Sequence, residues 1–177
     1  MPQFLIGFIL CTFLAITSNG CSSSSAQSMT DPFPTGRLDF ASELGEIGKL
    51  GDGRLVLMLW EPATGGELYV SDGTPEGTEI IVDLNPGPAD GAVHLIADFN
   101  GGVYFVGDDP ATGWELWFTD GTPEGTVLID DATTGPGDSR VLQGLVDSDS
   151  LHVSVDRCWN TPESCGSSVL TIAGSPN

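Results

Sequence analysis

Twenty-five carboxylates, two histidines and four cysteines are the residues of this chain best suited to chemistry. Asp72 and Asp120, together with Asp83, Asp90, Asp131 or Asp138, are the set that could hold a divalent cation, because carboxylate oxygens are the ligands Ca²⁺ takes. No Asp-x-Asp-x-Asp-Gly loop accompanies them, so the first reading of Asp72-Gly73-Thr74 and Asp120-Gly121-Thr122 is a structural turn. Asp-Gly favours the positive φ of a tight hairpin, and the following Thr hydroxyl can bond back to the carboxylate. No metal ligand and no cofactor is assigned, Ca²⁺ being the one ion the composition could serve. His94 and His152 fall in different strands of different units, with no Ser or Cys nucleophile near them, so no catalytic triad is read. A glycosidase needs two carboxylates facing each other across a bond, and no such pair can be marked. No catalytic residue is assigned, and the expectation is a protein that is not an enzyme.

Cysteine usage gives an address. Residues 4–16 form an apolar run of the length of an export signal, too short to span a bilayer. Thr17-Ser-Asn-Gly-Cys21 follows, and this resembles the signal of a bacterial lipoprotein, in which a small residue precedes the cysteine that is lipidated. The resemblance implies acylation of Cys21 and a membrane held by that anchor, facing periplasm or cell surface. Simple secretion with cleavage between residues 15 and 20, and an uncleaved anchor, are the alternatives. Cys158 and Cys165 remain, and in an oxidising compartment a disulfide is their natural pairing. Free thiols are the first alternative. Zinc would need more ligands than His94 and His152 supply.

These residues sit on a repeat. Glu67-Leu-Tyr-Val-Ser-Asp-Gly-Thr-Pro-Glu-Gly-Thr78 returns 48 residues later as Glu115-Leu-Trp-Phe-Thr-Asp-Gly-Thr-Pro-Glu-Gly-Thr126. One such unit cannot bury its own apolar face, so neighbours must stack. In the second unit four strands are expected: Val93 to Phe99, Val103 to Val106, Glu115 to Thr119 and Thr126 to Asp130. Asn100-Gly-Gly102 marks a hairpin, 108–113 a loop, and Gly135-Pro-Gly137 an end. The first unit copies this pattern at Glu43 to Leu50, Gly53 to Leu59, Glu67 to Val70 and Thr78 to Val82. A degenerate third keeps Val141 to Val146 and Leu151 to Val155, with Val169 to Ile172 where the Glu-Leu-Trp strand would stand. The organisation is therefore a signal over 1–20, a tether over 21–37 and a repeat domain over 38–177, with units at roughly 43–92, 93–140 and 141–177. The fold class is all-β, with four-stranded blades like those of a β-propeller.

The pattern Glu-Leu-Tyr/Trp-x-x-Asp-Gly-Thr-x-x-Gly-Thr is similar to the ELWxxDGT repeat family of bacterial exported proteins. The resemblance covers about residues 43–155 and implies a propeller-like surface protein; it brings no catalytic residues. Members carry many copies, whereas this chain has two good ones and fragments. Propellers have about four to eight blades, so roughly three units are too few to close a ring alone. Self-assembly into a homo-oligomer, an open stack and a compact β-domain of another kind are the ways to resolve this. The atypical third unit reads as a C-terminal cap.

Composition narrows the partners. Hydrophobic residues make up 40 %, enough for a packed core rather than a disordered chain. The net charge is −20 and the five basic residues are scattered, so nucleic acid is excluded as a partner and charge-driven membrane binding is disfavoured. Glu67 and Glu115, being repeated, are read as structural. Tyr69 and Trp117 are read as core. An exposed aromatic that stacks on a sugar is the alternative there; Trp60, Trp114 and Trp159 lie in or beside loops and are better candidates for ligand contact, the plainer reading being packing over a loop. The expected function is a non-enzymatic surface or periplasmic binding module for a protein or glycan, with a glycan-processing enzyme and a Ca²⁺-dependent envelope protein as rivals.

Overall fold

The computed structural model describes residues 43–157 and 166–174. The signal, the tether, Cys21, Cys158, Trp159 and Cys165 lie outside the described residues. Eleven strands and no helix are found among the residues described. β1 (Glu43–Lys49), β2 (Leu55–Glu61), β3 (Gly65–Ser71) and β4 (Thr78–Val82) pair in chain order as one antiparallel sheet. β5 (Ala92–Phe99), β6 (Gly102–Asp109), β7 (Gly113–Thr119) and β8 (Val127–Asp130) form the second in the same way. β9 (Arg140–Val146), β10 (Ser150–Asp156) and β11 (Ser167–Ala173) form a three-stranded third. The fold is all-β with blade-like units, and no sheet closes on itself.

The central sheet explains the stack. Successive side chains of a strand point to opposite faces, and β6 is apolar on both. Val103 and Phe105 join Val56, Leu68 and Val70 in the core shared with the first sheet. Tyr104 and Val106 join Leu151, Val153 and Val155 in the core shared with the third. A strand buried on both faces reads as an unbroken apolar run, as Val103-Tyr-Phe-Val106 does. β10 differs: Leu151, Val153 and Val155 are buried, while Ser150, His152, Ser154 and Asp156 alternate with them on the other face. Its outward side is polar, while the flanking strands add the exposed Leu145 and Val169 to the same face.

Neighbouring units are also tied through their first strands. The Leu95 amide donates to the Glu46 carboxylate, and the Lys49 amide donates to Asp98 Oδ2 at 3.0 Å. The Asn100-Gly101 hairpin has positive φ at both residues, 52° and 79°, as a tight two-residue turn requires.

One expectation is corrected. Residues 108–113 are not all loop, because Asp108 and Asp109 pair with Trp114 and Gly113 and leave only 110–112 to turn the chain. The Asp-Gly segments do turn the chain between strands. Residues 72–77 separate β3 from β4, and positive φ is confined to the glycine, 93° at Gly73.

Candidate functional site

The two Asp-Gly-Thr segments fold alike and share the same side-chain hydrogen bonds. Asp72 Oδ1 accepts the Thr74 amide at 2.9 Å and the Thr74 hydroxyl at 2.7 Å. Thr74 Oγ1 accepts the Gly77 amide, and Thr78 Oγ1 donates to the Thr74 carbonyl. Asp120, Thr122, Gly125 and Thr126 repeat each bond. The Thr74 hydroxyl and amide hold the Asp72 carboxyl below the usual carboxylate range. These loops spend their polar atoms on themselves.

At the opposite end of β3 stands Glu67, and at that of β7 stands Glu115, each at most 1 % exposed. Glu67 Oε1 accepts the Gly91 amide at 2.7 Å. Glu115 accepts the Ala132 amide at 3.0 Å, the Thr133 amide at 3.3 Å and the Ser139 hydroxyl at 2.7 Å. Each carboxyl thus fastens the segment that carries the chain to the next unit. Burial pushes Glu67 up to about 8; the Gly91 amide opposes this and the Asp83 charge adds to it. Burial also raises Glu115, against the donors it receives. Asp83 Oδ1 and the equivalent Asp131 Oδ1 are buried with no hydrogen-bond partner, as is Glu67 Oε2.

This placement separates the residues considered for Ca²⁺. Asp90 bonds the Gly66 amide at one end of β3, and Asp72 follows the other end. A seven-residue strand spans roughly 20 Å at ~3.3 Å per residue. Asp72 and Asp90, and likewise Asp120 and Asp138, cannot share an ion. Among the described residues no group of three or more His, Cys, Asp or Glu is arranged to hold a metal. His152 bonds Thr171 and Asp147, while His94 lies in β5 opposite Val106.

The two described loop-side tryptophans are brought together. A cleft of about 460 Å³ opens between the first and second units, lined by Trp60, Trp114, Asp90, Asp108, Met58 and Leu59 among others. That volume falls in the range of about 300–1,000 Å³ typical of small-ligand sites. Trp60 is 46 % exposed and Trp114 42 %. Trp60 pairs across β2–β3 with Gly66, and Trp114 pairs across β6–β7 with Asp108. Asp90 is carried to the cleft by the segment that Glu67 fastens, and its Oδ1 accepts the Gly66 amide at 2.7 Å. The Asp108 amide donates to the Gly91 carbonyl at 2.8 Å, and its Oδ2 accepts Asn85 Nδ2 at 3.3 Å. Trp114 also lines a smaller cleft of about 240 Å³ with His94 and Arg140.

Sequence reading names both tryptophans but misses Asp108, which it places in a loop, and gives Asp90 a different role. A signal is present. Positions 60 and 108 are equivalent, as are 66 and 114, and they hold Trp against Asp and Gly against Trp. The repeat departs from itself where the cleft forms and agrees with itself at Glu67, Asp72 and Thr74. No family model, no curated protein and no solved structure matches the chain.

Proposed function

We propose that this chain is an exported, non-enzymatic binding module that holds a glycan in the cleft between its first two units. The reading includes membership of the ELWxxDGT repeat family, a lipid anchor at Cys21 and a station at a bacterial membrane facing periplasm or cell surface. The observation that carries the glycan is that Trp60 and Trp114, both substantially exposed, line one cleft. Exposed indole faces offer flat apolar area to the C–H face of a pyranose, with polar groups beside them to orient its hydroxyls. Binding is favoured over hydrolysis because a glycosidase needs a carboxyl held protonated at the scissile bond. The carboxyls that burial raises, Glu67 and Glu115, are turned into inter-unit segments instead.

A glycan array probed with the chain from Cys21 onward tests this, followed by calorimetry on the best hit. Trp60→Ala and Trp114→Ala should each weaken binding about tenfold, the loss of one stacked face. An array on which nothing binds above a heat-unfolded control would overturn the reading.

A further inference from the structure

The cleft has a hydrogen-bonding bias that narrows its ligand. Among the described residues its charged lining groups are Asp90 and Asp108, and no Lys, Arg or His lines it. Each carboxylate is bonded through one oxygen only: Asp90 through Oδ1 to the Gly66 amide, and Asp108 through Oδ2 to the Asn85 amide group. Asp90 Oδ2 and Asp108 Oδ1 are left to a ligand. The lining side chains therefore offer carboxylate acceptors and π faces, with the indole N–H groups as their donors. A sugar hydroxyl can donate to these carboxylates but brings no charge to offset theirs. An ammonium group only donates, carries the compensating charge, and is drawn to an indole face as well as to a carboxylate. The net charge of −20 on the whole chain adds a field of the same sign and repels acidic sugars.

We infer that the Trp60–Trp114 cleft binds a glycan bearing free amines, with the pyranose rings on the indoles and the ammonium groups on Asp90 and Asp108. This rests on the glycan reading above and specifies its charge.

The test uses three probes of equal length against the chain from Cys21 onward by calorimetry: a fully deacetylated glucosamine tetramer, its N-acetylated counterpart and a neutral glucose tetramer, at a pH where the amines are protonated. The deacetylated tetramer should bind at least about tenfold tighter than either of the others. That advantage should shrink at high salt, since exposed charge pairs are screened. Asp90→Asn combined with Asp108→Asn should abolish the advantage, bringing the deacetylated tetramer down to the affinity of the neutral one, while the substituted amide at position 90 keeps an oxygen that can accept the Gly66 N–H. An unchanged urea midpoint would show that the double variant folds. Equal binding of all three probes would overturn the amine assignment and leave the glycan reading standing. Binding of none would overturn the amine inference, and the glycan array would decide the wider reading. Preferential binding of the deacetylated tetramer that survives both the double Asp→Asn change and Trp60→Ala would place the amines elsewhere and also overturn the inference.

Discussion

Ser139 gives its hydroxyl to Glu115 Oε1 at 2.7 Å, and Gly91, one unit earlier, gives its amide to Glu67 Oε1 at the same distance. The two units fasten the same joint with different donors. A Cβ at residue 91 would run into the Glu67 carboxylate, so the first unit has no room for the serine solution. Gly91→Ala should cost about 1–3 kcal/mol, as overpacking does. Ser139→Ala removes the hydroxyl's two hydrogen bonds, to Glu115 and to Thr133 Oγ1, and should cost about 1–2 kcal/mol. Urea midpoints of the two variants measure the difference.

The raised Glu67 carboxyl makes stability depend on pH. In the unfolded chain this group ionises near its ordinary 4.5, whereas the folded chain holds the proton up to about 8. The folded form binds more protons between those values, so its advantage is full below 4.5 and is lost as pH climbs toward 8. A proton on Oε2 also supplies a donor close to Asp83, whose Oδ1 has no partner. Glu67→Gln keeps the neutral form at every pH. The stability gap between the parent and Glu67→Gln, followed by urea titration across this window, should shift steadily against the parent. A gap that stays flat would mean that Glu67 is ionised in the fold.

The paired Asp-Gly-Thr loops predict equal and additive losses. Thr74→Val and Thr122→Val each remove the hydroxyl that links the Asp to the following Gly amide. Each should cost about 1 kcal/mol. The loops share no partner, so the double variant should show the sum within about 0.5 kcal/mol. Chemical denaturation of the three variants checks both statements.

The polar outward side of β10 separates the exposed Leu145 and Val169 on the strands beside it and predicts a discrete monomer in light scattering, not a ring completed by several copies. His152→Leu with Ser154→Val would give that face the pattern of β6, apolar on both sides. The double variant should associate as concentration rises. If the parent chain itself forms a stable larger species, the third unit is not a stop.

The Arg157 amide donates to the Gly166 carbonyl at 3.2 Å, following the Asp156–Ser167 pair of β10 and β11. Cys158 and Cys165 adjoin those two bonded residues, outside the described part. A disulfide between them is expected. Thiol titration of the unfolded, unreduced chain should find neither of them free, and Cys158→Ser should expose one.

Most of the strands were legible because the signals for a strand are local. Alternation, β-branched and aromatic residues and a glycine turn sit within a few positions, and the 48-residue echo checks each assignment twice. The end of β6 was missed because Asp108 and Asp109 are poor strand formers held there by pairing with Trp114 and Gly113. The cleft was half legible. Trp60 and Trp114 stand out by type, but their meeting depends on how one unit stacks on the next, which no local pattern encodes. Glu67 was recognised as structural from its recurrence. The donors it fastens were not, since they lie in an irregular segment with no periodicity to read.

The central sheet is covered on both faces and links its neighbours, whereas the third leaves one face open. A second copy of residues 93–140 spliced between them would present each neighbour with the surface it already meets. The molecule is therefore extendable from the inside. Every added length would bring another fastening glutamate and another loop of the Asp-Gly-Thr kind, with freedom to vary the residues at the rim. Array length and ligand choice could then change separately, one by duplication and the other by point substitution.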